Sequence, residues 1–140
     1  MQRLREARAG AAPDDAVVPE IRSIEEQLAA IARGDFAAAV ANALDDVHFE
    51  IFAPPEFGFV RQARGREQLL RAIQTNFAAV ENQQPEIINV VAQGETIVLI
   101  GRERGTHRES GAAYAVEFVH RFTFRGGRLA SLRIIAAKSV

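Results

Sequence analysis

The chain has 140 residues, with 48% hydrophobic and 25% charged side chains, a formal net charge of -1 and no cysteine. That length and mix fit one ordinary globular domain, and they exclude wholesale disorder, a disulfide scaffold, a thiol nucleophile and a cysteine-based metal site. The charge lacks the basic excess of a nucleic-acid binder and no apolar run nears the roughly 18 residues of a membrane span, so a soluble, cytoplasmic protein without nucleic-acid or membrane partners is expected.

Residues 1–18 read as a flexible N-terminal tail, in which Leu4, Arg5 and Arg8 sketch a short polar helix that the stretch from Gly10 to Asp15 breaks. Arg3, Arg5 and Arg8 would suit an organelle transit peptide, but Glu6, Asp14 and Asp15 oppose that reading. A single domain is expected over 19–140. Pro19 suits a first helical position, and Ile21, Ile24, Leu28 and Ile31 form one helical stripe that Gly34 ends. Asp35 can cap a second helix carrying Phe36, Val40 and Leu44, stopped by Asp45 and Asp46. Val47 to Phe52 alternates as a short strand. Pro54 and Pro55 force a loop, and Phe57 to Val60 reads as a second short strand. Gly65 precedes a helix from Arg66 to Val80 with Leu69, Leu70, Ile73, Phe77 and Val80 on its apolar side.

Beyond Pro85 the pattern turns to strands, over Glu86–Ala92, Thr96–Gly105, Ala113–Arg125 and Arg128–Ala137, with Gly94, Gly111 and Gly126-Gly127 at the turns. Helices first and hairpin-linked strands last predict an α+β fold with a mostly antiparallel sheet. Thr96–Ile100 and Leu132–Ala137 are apolar on both faces. A sheet with one wet face alternates, so both faces need cover. The three helices supply one side, and a homodimer packed sheet to sheet is predicted for the other.

Several segments, in this order, resemble the SnoaL-like and ketosteroid-isomerase-related family: Arg33-Gly34-Asp35-Phe36, Leu44-Asp45-Asp46-Val47, Arg64-Gly65-Arg66-Glu67, Gly101 to Gly105, and Glu117 to Phe124 followed by Gly126-Gly127-Arg128-Leu129. The resemblance covers about residues 20–137 and implies a nuclear-transport-factor-2-like cone, in which a curved sheet wraps on long helices around a deep apolar cavity, usually in a dimer. It does not settle the chemistry, because this fold hosts isomerases, cyclases, epoxide hydrolases, dehydratases and non-catalytic binding domains.

With that cavity in view, His120 is the leading candidate. Period two places it with Val116, Phe118, Phe122 and Phe124, where desolvation would keep the imidazole neutral and able to polarise a carbonyl or move a proton. The resemblance puts it where ketosteroid isomerases hold the protonated acid of their oxyanion hole, an arrangement known as an example of a carboxylic acid kept neutral by an apolar site. A purely structural histidine is the competing reading. The family's carboxylate positions are apolar here: Ile51 stands where the isomerases carry an Asp, and residues 133–137 hold no acid. Steroid isomerisation and epoxide hydrolysis are therefore disfavoured.

Arg102 and Arg104 share a side of their strand with Val98 and Ile100, and if that side is concave Arg102 could bind an anion at the cavity rim. The alternative is cross-strand pairing with Glu103, Glu109 or Glu117. Tyr114, the single tyrosine, could donate to a substrate oxygen or be a half-buried aromatic. The apolar wall is expected from Phe49 and Ile51 in the first strand and from Phe77 in the helix. Val98, Ile100, Phe118, Phe122, Leu132 and Ile134 are expected to supply the long-strand part, and Phe57 and Phe59, with Pro54 and Pro55, an exposed lid. His48 beside Asp46 and Glu50 faces away from the apolar side, so no metal is expected, and no cofactor; His107 reads as part of a solvated turn.

The expected function is a small dimeric protein that binds a hydrophobic, carbonyl-bearing molecule, with isomerase, cyclase or dehydratase chemistry resting on His120, Arg102 and Tyr114. The rival is a non-catalytic binding or dimerisation module, which a cavity below roughly 300 Å³ would favour.

Overall fold

A computed structural model describes residues 18–139; the transit-peptide reading and the 1–18 tail reading, apart from Val18, which opens the first helix, lie outside the described residues. Helix α1 (Val18–Ala32) buries Ile21 and Ile24, with Leu28 and Ile31 packed against the same core. Gly34, at φ 77°, ends it in the left-handed conformation that glycine adopts cheaply, and Asp35 caps α2 by accepting from the Ala38 N–H at 3.1 Å.

Helix α2 is a single turn, Phe36–Ala39, and does not run on to Leu44 as expected. Strand β1 begins instead at Ala43 and ends at Phe52. Helix propensity is outweighed here by tertiary anchors. The Ala43 carbonyl accepts from the Arg66 guanidinium at 3.0 and 3.2 Å and from Arg128 at 2.9 Å, and the Asn42 amide donates to Ser23 Oγ and the Gly127 carbonyl.

The strand expected over Phe57–Val60 is absent among the described residues. Pro55–Phe57 forms a 3-10 turn closed by Gly58 at φ 60°, and β2 comes later, at Gln62–Arg64. Helix α3 spans Arg66–Ala78. Strand β3 (Val80–Gln93) starts six residues earlier than expected and runs through Pro85. Proline is tolerated there because β3 is an edge strand with a partner on one side only. Strands β4 (Thr96–His107), β5 (Ala113–Arg125) and β6 (Arg128–Lys138) complete a six-stranded sheet of order β2-β1-β6-β5-β4-β3. Every pairing is antiparallel except β1 with β6.

The fold is thus the expected α+β cone, three helices on a curved mixed sheet. The helices cover one face, where Leu69 and Ile73 of α3 meet Phe49, Leu99 and Phe122 in one core. No helix among the described residues is long and apolar enough to cross a membrane.

Candidate functional site

A cavity of about 160 Å³ lies between the covered face of the sheet, α1, α3 and the Pro55–Phe57 turn. Hairpin register decides which side chains reach it. Counting back from the β4–β5 turn pairs Leu99 with His120, Gly101 with Phe118, Glu103 with Val116 and Gly105 with Tyr114, so these residues share one face. The glycines give the rings room: a Cβ on Gly101 would lie 2.6 Å from the Phe118 ring, and one on Gly105 2.6 Å from the Tyr114 ring.

His120 lines the cavity, with Phe118 at 4.6 Å and Phe122 at 6.2 Å between ring centroids. Burial among apolar groups lowers its pKa from 6.5 to about 4, so the ring is neutral at neutral pH. A neutral imidazole has one donor and one acceptor nitrogen. Among the described residues no group hydrogen-bonds either of them.

The expected wall residues Phe49, Ile51, Phe77, Leu132 and Ile134 line the cavity, as do Phe57 and Phe59. Phe57 is no exposed lid, however. It is 7% exposed, packed at 5.0 Å against both Phe59 and Tyr114. The turn is held down by Asn76, which accepts from the Val60 N–H at 2.8 Å and donates to the Val60 carbonyl at 3.1 Å.

Three residues fail on face assignment, and two further readings fail on surroundings. Val98, Ile100 and Arg102 project from the opposite, uncovered face, and the Arg102 Nε donates to Glu86 at 2.9 Å. Tyr114 is buried outside the cavity lining, and its hydroxyl donates to Glu103 Oε2 at 2.7 Å. Burial, reinforced by that bond to a carboxylate, pushes the phenol pKa well above its usual 10. His107 belongs to β4 rather than to a solvated turn, with its ring 4.6 Å from Phe57 and 5.2 Å from Tyr114.

Sequence reasoning missed Glu103, Asn76, Gln27 and Gln83, all of which line the cavity. The missed signal for Glu103 is the register itself. Because Thr96–Ile100 is apolar on both sides, alternation alone does not choose a face, but pairing His120 with Leu99 across the hairpin does. Glu103 lies four residues from Leu99 along β4, roughly 13 Å at the rise of an extended strand. The two polar groups therefore occupy opposite ends of the cavity. Among the described residues no cluster of His, Asp and Glu could hold a metal ion.

The model of the SnoaL-like domain family matches residues 24–132. No curated protein matches the chain by sequence. Solved structures share the fold. An NTF2-like protein of Burkholderia pseudomallei is 20% identical with a TM-score of 0.71, over 86% of this chain and 91% of that one. A protein of ketosteroid isomerase-like fold from Catenulispora acidiphila, in complex with trimethylamine, is 17% identical with a TM-score of 0.66, over 84% and 85%. An LEH-like epoxide hydrolase of M. tuberculosis is 19% identical with a TM-score of 0.65, over 85% and 83%. At these identities the likeness is one of fold.

Proposed function

The chain belongs to the SnoaL-like domain family, and on that premise we propose that it binds a small apolar molecule in the cone, with a carbonyl or similar oxygen accepting a hydrogen bond from His120. The observation that carries this reading is the neutral imidazole, without a hydrogen-bond partner among the described residues, in a wall of phenylalanines. A partly buried imidazole on the cavity wall has its ring nitrogens open to a hydrogen bond from a molecule that enters. The cavity, at about 160 Å³, lies below the usual range for drug-sized ligands. It suits a molecule of one ring, since a void near 150 Å³ lined by apolar residues holds benzene. Structural neighbours crystallised with small ligands, trimethylamine in one and polyporic acid in another, lend support.

Recognition is favoured over turnover. Isomerase, cyclase or dehydratase chemistry would rest on His120 alone, with Arg102 on the far face and the Tyr114 hydroxyl engaged by Glu103. A pKa near 4 suits a hydrogen-bond donor better than an acid–base catalyst working at neutral pH. The rival reading, a non-catalytic module, is favoured by the cavity volume and differs in placing no demand on turnover.

Titration calorimetry with acetophenone and ethylbenzene tests the role of His120. In His120→Leu, acetophenone should bind roughly tenfold more weakly and ethylbenzene within about twofold of the unchanged protein. Equal acetophenone affinity in the two proteins would reject the role.

The same reading includes a homodimer through the uncovered face. There Phe52, Ile135, Val119 and Ile100 stand side by side across four strands, 45, 48, 37 and 37% exposed. A contiguous apolar row of this kind marks an interaction surface, and a two-fold axis would lay one row on its copy. Sedimentation velocity should show a dimer that Val119→Glu dissociates. A monomer at high micromolar concentration would remove this part of the proposal.

A further inference from the structure

The lining of the cavity has a sign. Among the described residues Glu103 is its one acidic side chain, no Arg or Lys lines it, and His120 is neutral. Its carboxylate is held, not neutralised: Tyr114 donates to Oε2, and among the described residues no cation lies within ion-pairing distance of either oxygen. Arg102 and Arg104, its chain neighbours, sit on the opposite face of β4. Lys138 stands in the same row two strands away, opposite Val116, roughly 10 Å off at ordinary strand spacing. Its ammonium is bound to Glu56 at 2.7 Å. His107, four residues beyond Glu103 along the same face of β4, packs its ring on Phe57 and Tyr114.

A carboxylate with one hydroxyl donor keeps lone pairs to satisfy. Facing an apolar space, it loses the water that would otherwise do so. The remaining surface is rich in aromatic faces, with Phe49, Phe57, Phe59, Phe77, Phe118 and Phe122 all lining the cavity. Aromatic faces attract cations, and a carboxylate makes its strongest hydrogen bonds to charged N–H donors.

We propose that Glu103 makes this cavity selective for a small organic cation, an aromatic or alkyl amine whose ammonium meets the carboxylate while its apolar body lies among the phenylalanines. This rests on the cavity-binding reading above and adds the ligand's charge and the end at which it sits. An organic anion is disfavoured by the same carboxylate.

The test uses two ligands of nearly one shape, benzylamine, cationic at neutral pH, and benzyl alcohol, which is neutral. Calorimetry on the full chain should show benzylamine binding roughly tenfold more tightly. In Glu103→Gln the two affinities should converge, with benzyl alcohol within about twofold of its original value, which also certifies that the variant is folded. Glu117→Gln, on the opposite face, should keep the preference. If benzyl alcohol binds and benzylamine gains nothing, or if the preference survives in Glu103→Gln, the charge proposal fails and the cavity reading stands. If neither molecule binds, both fall.

Discussion

Leu99 and Ile100 are neighbours in β4 with side chains of one size, yet Leu99 is 1% exposed and Ile100 37%. The same contrast runs across the sheet, from Phe118 and Val119 in β5, 8% and 37% exposed, to Ile134 and Ile135 in β6, of which the first packs on the core and the second is 48% exposed. On one face α1 and α3 cover the strands. On the other, the apolar row is bordered by charge: Arg133 lies 3.5 Å from Glu50 and 5.1 Å from the Phe52 ring centroid, and Arg102 pairs with Glu86. The contrast teaches that hydrophobicity in these strands marks surfaces with two different partners, helices for one and, as proposed here, a second copy for the other.

Three measurements would break or sharpen that contrast. The largest effect is expected from Phe122→Ala, which empties a 1%-exposed site and should cost about 3–5 kcal/mol in urea denaturation. A loss below about 1 kcal/mol would mean the covered face is not the core.

Next is the pH dependence owed to His120, whose folded pKa of about 4 lies below its ordinary 6.5. The unfolded chain then takes up this proton before the folded one does. Stability associated with the group is intact above pH 6.5, falls as pH drops toward 4, and is fully lost below. The whole loss approaches roughly 3 kcal/mol. Against the pH profile of His120→Gln, the native protein should lose that much more between pH 7 and pH 4. Parallel profiles would place the imidazole in water.

The smallest effect belongs to the uncovered face. Arg102→Ala removes an ion pair whose side chains are 60% and 53% exposed, and the midpoint of urea unfolding should move by no more than about 0.5 kcal/mol. A loss of several kcal/mol would give Arg102 the structural weight that its exposure denies it.

Much of the architecture was legible because local rules and global fold agree. The α1 stripe, Gly34 and Asp35 at the helix junction, and the glycine-marked hairpins each encode their outcome within a few residues. His120 among its phenylalanines was legible for the same reason, as period two is local. Misread segments are those governed by distant partners. Ala43 and Leu44 leave the helix because Arg66 and Arg128 hold the Ala43 carbonyl from elsewhere in the chain. Val80 to Pro85 join the sheet because an edge strand forgives proline.

From the sequence alone come the order of helices and strands, the α+β class and the aromatic company of His120, since propensity and periodicity are short-range properties of the chain. Only the tertiary structure decided that Glu103 faces the cavity, that Arg102 does not and that Tyr114 spans to Glu103. A strand apolar on both sides carries no mark of which side is inward. That choice is made by hairpin register and by where the helices lie, and one step of register exchanges every side chain between the two faces.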